Sequence, residues 1–272
     1  MTVTPQKRIA CLTPIPASAY KERSTGVPIG TQKVTGDMMR KMVCMFGIAM
    51  PLFAGSLSAE VPQGCVLCYG DSMTANKKSY VSILGERWQN TKMINAGRGG
   101  RKTSERDNLI NLLDQMKKAD EKRVAAGKKS MKIDWVFILL GGNDLKARAN
   151  DATVGKCAEN MGWMVDYLRE QIPGVKILLL APCNLDPKKM KETGYETQAE
   201  SVRRIAELET AYQKLAAEKQ AKFISLRNVV PVENLSDGLH PDPAGQALIA
   251  DAIIKGFAEP EPAPQPANPV QP

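Results

Sequence analysis

The stretch Cys65-Val66-Leu67-Cys68-Tyr69-Gly70-Asp71-Ser72-Met73-Thr74 decides how the rest of the chain is read. A short apolar run stops at Gly-Asp-Ser, and a polar segment able to start a helix follows. An apolar run ended by glycine predicts a buried parallel strand reaching a turn. Such a turn sets Ser72 at the carboxyl edge of a sheet, where open α/β folds place their ligands. Two readings of Ser72 are open at this point: a nucleophile, or a residue that merely caps the next helix. The choice depends on whether the chain supplies the partners a nucleophilic serine requires.

Outward from this stretch, apolar strand patterns recur at 65–69, 92–96, 134–140, 176–181 and 221–225. Helical patterns lie between and after them, near 79–90, 104–126, 153–171, 195–219 and 242–257. In the second helix Leu109, Ile110, Leu112, Leu113 and Met116 fall on one stripe with Lys and Asp elsewhere, the mark of an amphipathic helix covering a sheet. The Lys-rich segment 117–132 reads as its solvated end and the loop beyond. Five β-α units in sequence predict an α/β fold, a three-layer α/β/α sandwich around a five-stranded parallel sheet.

The 272 residues suffice for one sizeable domain or two small ones, and 43% hydrophobic with 24% charged residues is ordinary for a soluble globular protein. The net charge of +8 is concentrated at one end. Residues 1–59 hold seven Lys/Arg and two acids, so 60–272 carries only +3. Aromatics are 5%, too few for stacking platforms along a single strand, so nucleic acid is not an expected partner.

Residues 1–37 are rich in Thr, Pro, Lys and Gly, with no sustained hydrophobic period; they read as disordered or as lying upstream of the true start. Met38-Met39-Arg40-Lys41, the apolar run Met42 to Phe53, and Ala-Gly-Ser-Leu-Ser-Ala at 54–59 then form a basic, an apolar and a small-residue region. That order is a secretory signal peptide. Translation is expected to begin at Met38 or Met39 and the mature, exported chain near Glu60. The apolar run is too short to span a bilayer comfortably. The α/β domain is expected over 60–258. From Glu259, six prolines in fourteen residues forbid a helix or central strand, which predicts an extended tail.

Cys11 and Cys44 fall in the part expected to be removed. Cys65 and Cys68 have redox or zinc spacing, yet positions three apart on a strand face opposite ways, so they are expected to be small core residues. Pairing of Cys157 with Cys183 is left open, as is the oligomeric state.

Four polar groups fall where strands end or where a late loop can return to the sheet edge. Ser72 is the first. Asn95-Ala96-Gly97-Arg98-Gly99-Gly100-Arg101-Lys102-Thr103 is the second; it lacks the glycine spacing of phosphate and dinucleotide loops but can bring a bare backbone N–H to a ligand. Leu140-Gly141-Gly142-Asn143-Asp144 is the third, with Asn143 either a turn residue or a donor to an oxyanion. The fourth is Ser236-Asp237-Gly238-Leu239-His240-Pro241. His240, the one histidine of the chain, lies three residues after Asp237 in a Gly-containing turn, the arrangement that orients a general base.

Gly70-Asp71-Ser72 with Thr74, then Gly100, then Gly141-x-Asn143-Asp144, then Asp237-x-x-His240 resemble the four blocks of the SGNH (GDSL) hydrolases in order and spacing, over roughly 64–257. The nearest likeness is to the arylesterase-like and carbohydrate-esterase-like branch, through the Cys-Tyr-Gly-Asp-Ser strand end and Asn143-Asp144-Leu145-Lys146. Gly142 stands where Thr is common, and Arg101-Lys102-Thr103 where that branch usually has Arg-Thr-Thr; both bear on pocket shape. The resemblance implies a flavodoxin-like fold and hydrolysis of small esters without metal or organic cofactor. It makes Ser72 the nucleophile, His240 the base and Asp237 its orienter. The Ser72 and Gly100 backbone N–H groups and the Asn143 side chain become the oxyanion donors. The Gly-x-Ser-x-Gly elbow of α/β-hydrolases is absent around Ser72.

With no long insertion to build a lid or acyl tunnel, a short acyl group is expected, acetate first, on a small-molecule ester such as an acetylated carbohydrate. Lys77, Lys78, Arg98, Arg101, Lys146 and Arg148 follow strand ends and form either a basic rim for anionic or sugar esters or ordinary solvated charges. Lysophospholipase, thioesterase and acyltransferase chemistry of the same superfamily, and a catalytically silent binding domain, remain as alternatives.

Overall fold

In this computed structural model the described residues are 61–146, 153–190 and 198–259. The expectations for residues 1–37, for the signal peptide and for the Pro-rich tail beyond Glu259 lie outside them. Five strands form one parallel sheet: β1 (Gly64–Gly70), β2 (Thr91–Gly97), β3 (Trp135–Leu139), β4 (Lys176–Ala181) and β5 (Lys222–Ser225). Their order is β2-β1-β3-β4-β5. The helices are α1 (Ser72–Ala75), α2 (Tyr80–Arg87), α3 (Arg106–Ala125), α4 (Gly142–Lys146), α5 (Val154–Gln171), α6 (Gln198–Glu218) and α7 (Pro243–Ala258). The expected α/β/α sandwich is therefore what the chain forms. The five-residue α4 is the element that periodicity missed, since so short a run cannot display a helical repeat.

Strand alternation sorts the core into two layers. Leu67, Tyr69, Val136, Ile138, Ile177 and Leu179 face α3, α5 and α6. Val66, Cys68, Phe137, Leu139, Leu178 and Leu180 face α1, α2 and α7. Because β1 and β3 are covered on both faces, their sequences read as unbroken apolar runs. Trp88, Trp135 and Phe137 pack around Phe257 of α7 with ring centroids 5.1 to 5.7 Å from it. Truncating an anchor of this size to Ala costs about 3–5 kcal/mol.

The chain steps from β1 outward to β2, then returns to the other side of β1 for β3, β4 and β5. The order reverses between β1 and β3, the switch point at whose carboxyl ends open α/β sheets bind their ligands. Gly70 pairs with both Gly97 and Leu139, so the loops after β1, β2 and β3 leave the sheet side by side.

The cysteines belong to this core. Cys65, Cys68, Cys157 and Cys183 are buried and free, and Cys157 and Cys183 lie in opposite layers, which settles that they do not pair. Burial pushes the Cys68 thiol well above its ordinary range and those of Cys157 and Cys183 up to about 12. Thiols held this far from ionisation are inert packing groups.

Candidate active site

Asp71, not Ser72, caps α1. Its Oδ1 accepts the Met73 N–H at 3.0 Å, which leaves Ser72 as the first helical residue with its hydroxyl free for another partner. The turn is tight enough to dictate both strand-end glycines. A Cβ on Gly70 would lie 2.1 Å from Thr74 Oγ1, and one on Gly97 would lie 2.2 Å from the Ala75 nitrogen.

The partner of Ser72 is His240, with Oγ and Nε2 2.8 Å apart. His240 Nδ1 in turn lies 2.7 Å from Asp237 Oδ2. An ionised carboxylate only accepts, so the ring proton belongs on Nδ1 and Nε2 is left to accept from the serine hydroxyl. Asp237 is 58% exposed at its side chain, yet its position is fixed by its own turn. Its Oδ1 accepts the backbone N–H groups of Leu239 at 3.0 Å and His240 at 2.8 Å. Partial burial pushes this carboxyl up, but hydrogen bonds from the His240 N–H, the imidazole and the Leu239 N–H outweigh it and hold Asp237 at about 2.

The turn is anchored on both sides. Gly238 has φ +84°, and a Cβ there would meet the Asp186 carbonyl at 2.4 Å, so that only glycine fits. Behind it Asp242 caps α7 through the Gly245 N–H at 2.8 Å, with Pro243 as the first helical residue. One turn into α7, buried Gln246 accepts the Tyr80 N–H at 2.8 Å and donates to the Met73 carbonyl at 3.2 Å. The helix that follows His240 is thereby fastened to the one that starts at Ser72.

The other two expected donors lie on the neighbouring loops. Gly100 has φ +74°, open space where a Cβ would stand, and no partner for its N–H among the described residues. Asn143, in the first turn of α4, is buried, and its Nδ2 donates to Asp71 Oδ2 at 3.3 Å and to the Arg101 carbonyl at 3.2 Å. Asn143 is thus bonded to the residue before Ser72 and to the residue after Gly100. Ser72, as the first residue of α1, has an N–H with no acceptor within the helix.

Two buried carboxyls frame this arrangement. Burial pushes Asp71 up to about 6, against the Met73 N–H, His240 and Arg101, which pull it down. Asp144 is also raised by burial, although Thr103 opposes this by donating its N–H to both carboxylate oxygens at 3.0 Å and its hydroxyl at 2.5 Å. Asp144 so ties α4 to the loop after β2.

The structure corrects the basic-rim expectation at Arg101. That side chain is buried, stacks over the Tyr69 ring at 4.1 Å, and donates to the Gly70 and Ala96 carbonyls at 2.7 and 2.6 Å. It ties the ends of β1 and β2 together and is no surface charge. Arg98 is engaged with Asn108 at 2.7 Å and lies 3.7 Å from Glu105. Lys77 and Lys78 are exposed, while Arg148 and the Lys146 side chain lie outside the described residues. A surface cavity of about 630 Å³ between α5 and α6, with Trp163 on its wall, contains none of the groups above. The groups expected from the sequence gather instead at the sheet edge.

Asp71, Arg101, Asp144 and Gln246 were not expected to matter as they do. Asp71 and Asp144 stood inside quoted motifs, whereas a buried Gln in an amphipathic helix gives no signal at all.

Three comparisons bear on this arrangement. Residues 68–248 match the GDSL-like lipase/acylhydrolase family. No curated protein matches the chain. Among solved structures, a carbohydrate acetylesterase from Sinorhizobium meliloti is similar at 22% identity and TM-score 0.56, over 72% of this chain and 99% of its own. The aryl esterase of M. smegmatis is similar at 20% identity and TM-score 0.56, over 71% and 97%. A lipase/acylhydrolase from Enterococcus faecalis is similar at 23% identity and TM-score 0.53, over 72% and 96%. Identities this low establish a shared fold.

Proposed function

Because this chain belongs to the GDSL-like lipase/acylhydrolase family and is a carboxylic-ester hydrolase, we propose that it is an exported serine esterase acting on short-chain, acetyl-type esters of carbohydrates or similar small molecules. The observation that carries the mechanism is the chain of contacts from Ser72 Oγ through His240 to Asp237, at 2.8 and 2.7 Å. Ser72 Oγ attacks the ester carbonyl carbon as its proton passes to His240 Nε2. Asp237 holds the ring and stabilises its charged form. The carbonyl oxygen becomes an oxyanion, met by the Ser72 and Gly100 N–H groups and by Asn143 Nδ2. When the tetrahedral species collapses, the ester C–O bond breaks and the alcohol leaves with the proton from His240. Water, deprotonated by His240, then releases the acid and restores Ser72.

The acetyl preference is supported by the lack of a long insertion in the sequence and by the carbohydrate acetylesterase among proteins of the same fold. Export is supported by the signal-like run at 38–59. The test is hydrolysis of p-nitrophenyl esters from acetyl to octanoyl by the full chain and by Ser72→Ala. Turnover should fall with acyl length and vanish in the variant. Rates that rise toward octanoyl would replace the acetyl reading with a lipase-like one, and activity that survives Ser72→Ala would remove the nucleophile. Expression in a bacterial host followed by N-terminal sequencing tests export, with a mature start near Glu60 as the expected result.

A further inference from the structure

Asp71 is an odd choice for the place it fills. It is 1% exposed, and the hydrogen bonds to its carboxylate come from the Met73 N–H and from Asn143 Nδ2. Burying a carboxylate without a paired cation is costly, and capping α1 needs no charge, since Asn or Ser caps as well. The contact with Asn143 needs a second acceptor oxygen beside the one bonded to the Met73 N–H, which a carboxylate has and an Asn or Ser cap lacks. The two ends of a side-chain amide have nearly the same shape, and only their hydrogen-bond partners decide which way it faces. Here the nitrogen end meets two acceptors, Asp71 Oδ2 at 3.3 Å and the Arg101 carbonyl at 3.2 Å. A reversed amide would press its oxygen against a carboxylate and a carbonyl.

We propose that Asp71 is a positioning residue for oxyanion stabilisation, its carboxylate selecting the orientation of Asn143 that presents Nδ2 between Ser72 and Gly100. The placement follows from chain neighbours: Asp71 immediately precedes one expected backbone donor, and Arg101 immediately follows the other. Nδ2 carries two hydrogens, and both resting contacts are long. As the oxyanion forms, the amide turns one N–H from the Arg101 carbonyl to the substrate oxygen while Asp71 keeps the other. An Asn at this position would keep the cap through its oxygen and turn an NH2 group toward Asn143, leaving the Arg101 carbonyl as the one acceptor that holds the amide. This inference rests on Ser72 as nucleophile and Asn143 as donor.

The experiment measures kcat and KM for p-nitrophenyl acetate, together with thermal melting, in the full chain and in Ser72→Ala, Asp71→Asn, Asn143→Ala and the Asp71→Asn/Asn143→Ala pair. Asp71→Asn should lower kcat by roughly 10- to 100-fold with KM within twofold, at an unreduced melting temperature. The paired variant should be no slower than Asn143→Ala alone, because Asp71 acts through that amide. An Asp71→Asn kcat within twofold of the parent overturns the proposal, as does a pair whose losses multiply. If Asn143→Ala costs nothing while Ser72→Ala is dead, the amide is no donor; the proposal falls and the nucleophile stands. If Ser72→Ala stays active, the functional reading itself falls and takes this inference with it. Should Asp71→Asn not fold, Asp71→Ser keeps a capping oxygen, loses the reach to Asn143, and is held to the same outcomes.

Discussion

Gln246 donates to the Met73 carbonyl across 173 residues of chain, and the same side chain accepts the Tyr80 N–H. One buried amide thus joins the start of α7 to both α1 and the start of α2. It braces the elements on either side of the Ser72–His240 contact without bonding to either residue.

Gln246→Ala removes both bonds and leaves the Tyr80 N–H buried without a partner, a loss of about 1–3 kcal/mol. The melting temperature should drop by several degrees. Since Ser72 begins α1 and the turn carrying His240 leads directly into α7, kcat should fall about tenfold or more while KM moves little. Gln246→Glu, which keeps the acceptor but buries a carboxylate against the Met73 carbonyl, should melt no higher than Gln246→Ala at pH 8 and recover at low pH, where the carboxyl is protonated and donates again.

Asp237→Asn should cost roughly 10²–10⁴ in kcat, because an amide can face Nδ1 with its own N–H and favour the wrong imidazole tautomer. Its folded pKa of about 2 lies below the ordinary carboxylate value near 3.9. The carboxylate therefore adds stability above pH 4, which is lost as pH falls through 2. Asp237 stays ionised across the working range, so the acid limb of a kcat profile should fall well above pH 2. A limb near pH 2 would show that Asp237 sets it.

The sign is opposite at Asp71. Its folded pKa of about 6 exceeds the unfolded value of 3.8, so the folded state prefers it protonated. Its charge costs no stability below pH 3.8, begins to cost as pH rises past that value, and costs the full amount above pH 6, on the order of 2–3 kcal/mol. Asp71→Asn should accordingly gain melting temperature over the parent at pH 8 and lose most of that gain at pH 4.5. Equal differences at the two pH values would rule out a charge effect.

Gly238→Ala forces a left-handed backbone on a residue with a Cβ and drives that Cβ into the Asp186 carbonyl. The turn carrying Asp237 and His240 must move. Melting temperature and kcat should fall together, kcat by about tenfold or more. A variant with parent turnover would show that the turn tolerates displacement.

What the residues disclosed in advance was local. Asp237 grips His240 within three positions, so spacing alone announced that pair. The apolar runs of β1 and β3 announced burial on both faces, because central parallel strands leave no side for water. The strand order did not follow in the same way, since parallel pairing joins residues far apart in the chain. Arg101 was misread for a related reason. An arginine in a Gly-rich loop looks solvated until Tyr69 and two strand-end carbonyls are found around it. Ser72 illustrates the remaining gap: two jobs were open to its hydroxyl, and the matter turned on Asp71 taking one of them.

The 168 positions between Ser72 and His240 carry a consequence for the birth of the protein. A ribosome completes the proposed nucleophile long before it makes the proposed base, and α7 is the last helix among the described residues. Until that helix docks through Gln246 and Phe257, every shorter nascent chain holds an ordinary, unreactive serine. Appearance of esterase turnover is therefore a clock for the last folding step. A translation mixture arrested at successive lengths should stay silent until the residues of α7 have cleared the exit tunnel.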